Sequence, residues 1–173
     1  MVLPRLRRSC RVGIPSPGYQ EHGHSWSRAG HQLMSLDRAL LSGDDESWLE
    51  DLDVLVWINP NNPTGETIAP ERLLRWHKRL QRRGGWLVID EAFVDGCPEL
   101  SLGFATGRHG LVVLRSLGKF FGLAGVRAGA VLAGPELAEG LRNAIGPWTV
   151  SGPARYVMSR ALRDERWQAA TAK

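Results

Sequence analysis

DVLVWINPNNPTGETIAPERLLRWHKRLQRRGGWLVIDE, residues 53–91, reads as strand, helix and strand in succession. Its two ends, Val54 to Ile58 and Trp86 to Ile89, are unbroken apolar runs rather than alternating ones. Strands of that kind are buried on both faces, as in a parallel sheet covered by helices. Between them, Leu73, Trp76 or His77, and Leu80 recur at helical spacing behind Pro70, a residue suited to a first turn. The spacing predicts a helix over 70–83 whose apolar stripe faces the sheet and whose arginines face water.

The same alternation continues outward. Strands are expected at 11–15, 31–36, 53–59, 86–90, 110–116 and 128–133, and helices near 19–29, 70–83, 135–145 and 153–168. The expectation is an α/β chain with a mostly parallel sheet between helical layers, a three-layer α/β/α arrangement. It forms one domain over residues 1–173, without internal repeats or low-complexity segments. A chain of 173 residues with 43% hydrophobic content is large enough for one core.

Composition narrows the function classes. Cys10 and Cys97 are too few for a disulfide framework in a chain of this length, which suits a reducing compartment and makes the cytoplasm the expected location. The basic opening MVLPRLRRSCRVG is not followed by the apolar run of a secretory signal. No uncharged stretch approaches the roughly 18 residues of a membrane helix. The net charge of +4 comes largely from arginine, and the cluster in residues 70–83 falls on the polar face of a helix. Neither nucleic acid nor a membrane is therefore expected as a partner.

In an open α/β sheet, ligands bind beyond the carboxyl ends of the strands. Three such ends are chemically unusual here. NPNNPTG (59–65) is a stiff, polar turn. Asp90 and Glu91 put two acids at the end of an apolar strand, which costs solvation unless a cation meets them; a helix cap or an arginine ion pair is the plain alternative. RSLGKFFGLAGVRAG (115–129) brings Lys119 to the same edge, where a lysine that merely snorkels to water is the plain alternative.

Convergence of the three would serve one chemistry. A lysine in a largely apolar pocket is a nucleophile towards an aldehyde. An aspartate facing a pyridine nitrogen keeps that nitrogen protonated, and together these make the pyridoxal-phosphate arrangement. Ser116 and Arg127 supply a hydroxyl and a guanidinium fork for a phosphate. Two other readings fit less. Ser116-x-x-Lys119 also matches the serine motif of β-lactamases, but neither the S-D-N nor the K-T-G string of that class occurs. His22, His24, His31 and Cys10 repeat no metal-ligand spacing and are expected on a solvated helix and its exit, so no metal site is assigned.

Taken in order, NPNNPTG, VIDEAF and RSLGKFFGLAGVRAG resemble the motif series of the fold-type-I pyridoxal-phosphate enzymes, in the branch that holds the histidinol-phosphate aminotransferases. Within that branch, VIDEAFVDGCPELSL, RSLGKFFGLAGVR and GPWTVSGPA are most similar to the threonine-phosphate decarboxylases of cobalamin biosynthesis. The resemblance runs from about residue 3 to residue 157. It implies the large domain of the fold-type-I transferase fold, expected to be incomplete at both ends. An N-terminal segment with a glycine-rich phosphate loop and a small C-terminal domain would be lacking, and the complete enzyme would be a homodimer.

The resemblance also implies roles. Pyridoxal 5'-phosphate would be the cofactor, carried by the catalytic Lys119, with Asp90 on its ring nitrogen and Asn62 on its ring oxygen. Ser116 and Arg127 would bind its phosphate, and Tyr19, in SPGYQEH, would stack on its ring. Two positions depart from the transaminase pattern: Phe93 replaces a tyrosine that would donate to the ring oxygen, and Gly118 replaces a second phosphate-binding hydroxyl. Both suit a decarboxylase. The implied reaction takes L-threonine O-3-phosphate, a small phosphorylated amino acid, to aminopropanol phosphate. A histidinol-phosphate-type aminotransferase, or an inactive piece of either enzyme, is the alternative.

Overall fold

The strand pair anticipated around residues 54–90 is the centre of the sheet. The computed structural model describes residues 2–41 and 45–172. Six strands form one sheet: β1 (Arg11–Ser16), β2 (Gln32–Asp37), β3 (Val54–Ile58), β4 (Trp86–Asp90), β5 (Leu111–Ser116) and β6 (Gly129–Ala133). Their order is β2-β1-β3-β4-β5-β6, with β6 antiparallel to β5 and every other pair parallel. The mostly parallel α/β sheet expected from the sequence is thus present. From β1 the chain steps outward to β2 and then back across to β3, so β1 and β3 flank a switch in strand order, where α/β sheets open a crevice.

Alternation along each strand divides the core in two. Leu55, Trp57, Leu87, Ile89, Leu111 and Val113 point to one face and pack under α2 (Pro70–Gln81) through Leu73, Trp76 and Leu80. Val54, Val56, Val88 and Val112 point to the other, where they meet Trp26 of α1 (Gln20–Arg28) and Leu141 of α3 (Pro135–Ile145). Helices on both faces are what the unbroken apolar runs require. Pro70 and Pro135 open α2 and α3 in the first turn, as their fixed φ and missing N–H favour.

The helix expected over 153–168 is two: α4 (Gly152–Ala161) and α5 (Glu165–Thr171). The break has a local cause. The Asp164 carboxylate accepts from the Trp167 N–H at 3.0 Å, and an aspartate that caps a helix N-terminus starts a new helix rather than continuing an old one. Two of the histidines expected on a solvated surface are buried instead. His31 lies 2.9 Å from the Pro4 carbonyl through Nε2 and 3.2 Å from the Cys10 sulfur through Nδ1, and His22 turns inward from α1.

A third buried histidine gives a pH prediction. His77, on the sheet side of α2, lies 2.9 Å from the His109 carbonyl, to which its ring N–H donates. Burial holds its pKa below the ordinary histidine value, the His109 carbonyl opposing and Arg108 reinforcing the shift. A depressed folded-state pKa contributes stability that is present above the unfolded value of about 6.5 and is lost as pH falls below it. Thermal midpoints should therefore drop between about pH 7 and pH 5, and His77→Gln, which keeps a donor for His109, should flatten that part of the curve. Buried Glu91, whose pKa is raised by burial, acts with the opposite sign and is common to both proteins, so the difference between the two curves isolates His77. Parallel curves would refute the assignment.

Candidate functional site

All four carboxyl ends of β1, β3, β4 and β5 lie at one edge of the sheet, and β6 starts there because its first residue, Gly129, pairs with Ser116. That places the turns bearing Tyr19, Asn62, Asp90, Lys119 and Arg127 at the same edge.

Parity decides which acid faces which way. Asp90 follows Trp86 and Val88 on the α1 face, whereas Glu91 follows Leu87 and Ile89 on the α2 face. On the α1 face Asp90 meets His22, whose Nε2 lies 2.7 Å from its Oδ2, while its Oδ1 accepts from the Ala92 N–H at 3.0 Å. His22 is 2% exposed, so its ring is fixed against the carboxylate by the packing of α1. Among the described residues no arginine is the partner of Asp90; the arginine goes to its neighbour. Glu91, fully buried, accepts from Ser101 Oγ and the Leu102 N–H, both at 2.6 Å, and pairs with Arg115 at 3.4 Å. Burial raises its pKa, and these three donors oppose the rise.

His22 is the site residue that sequence reasoning passed over. Its signal was present: His22 and Trp26 stand four apart, on one stripe of a short helix, and Trp26 is core. Tyr19, immediately before α1, presents its ring edge-on to His22 at 5.8 Å and is half-exposed. It thus packs on its own helix, and it stands one ring away from the Asp90 carboxylate.

The asparagine-rich turn sorts its three amides by task. Asn59 closes it with a pair of bonds to the Ile68 backbone at 2.8 and 3.0 Å. Asn61 donates to the Pro17 carbonyl at 3.0 Å and to Thr64 at 2.8 Å, which ties this turn to the one before Tyr19. Neither set includes Asn62, which is half-buried at the turn's surface.

Beyond β5 the chain folds into a tight loop. Leu123 N–H bonds back to the Leu117 carbonyl at 3.1 Å and Gly122 N–H to Lys119 at 2.9 Å, with Gly122 at φ +65° where a side chain would be strained. Lys119 is exposed on this loop, its Nζ 5.1 Å from the centre of the Phe93 ring. At that separation an ammonium is attracted to the ring face. Ser116 Oγ accepts from the Gly118 N–H at 3.1 Å. Arg127 ends the following turn in the left-handed region, φ 51°, and its guanidinium donates to the Ala124 carbonyl at 3.1 Å. Return to the sheet depends on Gly129, because a Cβ there would meet the Arg115 carbonyl at 2.6 Å. The result is a cavity of about 250 Å³ lined by Ser116, Gly118, Arg127 and Gly129.

The structure therefore joins the expected residues in groups. Ser116 and Arg127 share one cavity. Tyr19 and Asp90 are linked through His22. Lys119 stands over Phe93, three residues beyond Asp90. Tyr19 lines a different cavity from that of Ser116, about 580 Å³, together with Pro17, His24 and Pro63. Chemically, the edge offers an amine, a carboxylate braced by an imidazole, a side-chain amide, and a polar cavity with a guanidinium and a hydroxyl.

The family described as Aminotransferase class I and II matches residues 1–172. A threonine-phosphate decarboxylase of Pseudomonas aeruginosa is 53% identical over 167 residues, which are 96% of this chain and 49% of the relative. The histidinol-phosphate aminotransferase from Clostridium acetobutylicum superposes with a TM-score of 0.85 at 23% identity, over 99% of this chain and 53% of that one. The histidinol-phosphate aminotransferase from Sinorhizobium meliloti, solved in complex with pyridoxal-5'-phosphate, superposes with a TM-score of 0.79 at 22% identity, over 99% of this chain and 50% of that one. The chain spans about half the length of the curated relatives it matches.

Proposed function

This chain belongs to the aminotransferase class I and II family, and from that premise we propose that it is the cofactor-holding part of a pyridoxal-phosphate-dependent enzyme that decarboxylates L-threonine O-3-phosphate. Residues 1–173 would constitute the large domain, and the complete enzyme, as a homodimer, would add the segments that reach the substrate carboxylate. The observation that carries the reading is the common parity of Asp90 and Ser116. They end adjacent parallel strands on one face of the sheet, with Lys119 on the loop that follows.

The residues present fit pyridoxal phosphate. A polar cavity bearing a guanidinium and a hydroxyl suits a phosphate, and a braced carboxylate suits a cationic ring nitrogen. When bound, that cofactor supplies an electron sink for the pair left at Cα as the carboxylate departs as carbon dioxide. Lys119 would hold the cofactor through its amine and, once released by substrate, return a proton to Cα. Asp90, held by His22, would keep a proton on the ring nitrogen. Asn62 would donate to the ring oxygen, Tyr19 would cover one face of the ring, and Ser116 and Arg127 would bind the phosphate.

Decarboxylation is preferred over transamination on the 53% identity to a decarboxylase, together with Phe93, whose ring carries no hydroxyl. The experiment is a product assay. The purified protein is loaded with pyridoxal phosphate, given O-phosphothreonine, and assayed for carbon dioxide and aminopropanol phosphate with and without 2-oxoglutarate. Carbon dioxide released without an oxo acid supports the proposal. Amino transfer that depends on the oxo acid, without carbon dioxide, would replace it with an aminotransferase.

The phosphate assignment has its own test. Ser116→Ala removes one hydrogen bond to a charged group, which is worth about 1.5–3 kcal/mol and so roughly a 10- to 150-fold weaker dissociation constant for pyridoxal phosphate. Unchanged affinity would move the phosphate elsewhere.

A further inference from the structure

Directly behind the proposed site, on the α2 face of the sheet, lies a cluster of charged groups to which the chemistry above assigns no task. Arg115 reaches two carboxylates at once: one terminal nitrogen lies 3.4 Å from Glu91 Oε2, and the other is in direct contact with Asp95 Oδ1. Glu91 is fully buried and the Asp95 carboxylate nearly so; the second Asp95 oxygen is buried without a hydrogen-bond partner among the described residues. Ser101 completes the cluster by donating to Glu91 at 2.6 Å while lying 3.5 Å from Arg115.

Two features make this more than a buried ion pair. The first is its place in the ladder. β4 and β5 run in register as far as Asp90 opposite Leu114, and one further bond, Glu91 N–H to the Leu114 carbonyl at 2.9 Å, carries the pairing past the strand end. There the strands part, β4 into the turn bearing Phe93 and β5 into the lysine loop, and the Arg115 fork spans the gap. The second feature is adjacency. Glu91 follows Asp90 and Arg115 precedes Ser116, so each end of the fork is the chain neighbour of a site residue pointing to the opposite face. The fork thus braces, beyond the end of the ladder, the two chain segments that carry the Asp90 carboxylate and the Ser116 hydroxyl.

We infer that Arg115, clasped by Glu91 and Asp95, is a positioning residue that fixes the phosphate anchor at Ser116 relative to the carboxylate of Asp90. A guanidinium suits this because its planar fork holds two carboxylates in one geometry, whereas an ammonium is a point charge on a flexible stem. The inference rests on the reading of Ser116 and Arg127 as a phosphate anchor.

The test compares two probes, pyridoxal phosphate and pyridoxal, which share the ring and aldehyde and differ in the phosphate. Dissociation constants for both are measured on the whole chain, by titration followed by borohydride fixation and mass quantification, for the wild type, Arg115→Lys and Ser116→Ala. The wild type should prefer pyridoxal phosphate by at least about tenfold, the scale of one charged hydrogen bond. Arg115→Lys, which keeps the charge and loses the fork, should lose most of that preference, approaching the ratio of Ser116→Ala, while pyridoxal binding changes by less than about twofold.

A clasp that only stabilises the fold would weaken both probes in proportion or leave both unchanged, and a preserved ratio would overturn the inference. Should Arg115→Lys fail to fold, the same ratio is read on Glu91→Gln, which keeps bonds to Ser101 and Leu102 and removes one of the two charges that clasp Arg115. A wild type that does not distinguish the two probes would refute the phosphate anchor itself, an outcome separate from a preserved ratio.

Discussion

Lys119→Ala should abolish the fixation of pyridoxal phosphate on this chain. In the wild type, borohydride treatment after incubation with pyridoxal phosphate should leave a phosphopyridoxyl group on the peptide containing Lys119, and in the variant that peptide should carry none. The sequence makes the measurement clean, because lysine occurs only at 78, 119 and 173. Lys78 lies on the arginine-rich helix α2, away from the carboxyl edge, and serves as an internal control for unspecific reaction. The fold should survive. Lys119 is exposed, its contact with the Phe93 ring is worth about 0.5–1 kcal/mol, and exposed substitutions usually stay within about 0.5 kcal/mol. The expected effect is thus complete on capture and small on stability. Equal labelling of wild type and variant, or label confined to Lys78, would remove Lys119 from the site.

How much of this could be read beforehand depended on periodicity. Strand positions were legible because each is a short β-forming run between turn residues, and the helix over α2 was legible because Leu73, Trp76 and Leu80 repeat at helical spacing. The family resemblance then named the residues, and the sheet brings their turns to one edge. Side was harder to read. Asp90 and Glu91 are both acids at a strand end, and only the alternation from Trp86 onward tells that the first faces α1 and the second faces Arg115. His22 was hidden for a related reason: in QEHGHSWSR the polar residues outnumber the apolar ones, so the buried stripe reduces to His22 and Trp26 and does not announce itself as amphipathic. The split between α4 and α5 turned on a single side chain, Asp164, whose preference for a cap outweighed the otherwise helical run around it.

That hidden histidine bears on the second large effect, Asp90→Asn. Asparagine keeps the shape of the side chain: its one oxygen can accept from the Ala92 N–H and its amide N–H can donate to His22 Nε2 in the tautomer that leaves that nitrogen bare, so the local geometry at 2.7 and 3.0 Å has the means to persist. What it loses is the negative charge. On the proposed reading that charge keeps the cofactor's ring nitrogen protonated, and an amide cannot do so. With nitrogen-15 in the ring of bound pyridoxal phosphate, the wild type should show the shift of a protonated pyridine and the variant that of an unprotonated one, while borohydride still fixes the cofactor on Lys119. Carbon dioxide release from O-phosphothreonine should fall by about 10²–10³-fold, the scale on which one preorganised electrostatic partner acts. The two readouts separate the roles of the two residues, since Lys119→Ala removes capture and Asp90→Asn spares capture and removes the protonated ring. If the nitrogen shift were the same in both proteins, Asp90 would be no more than the buried partner of His22, and the electron sink would need another source of charge.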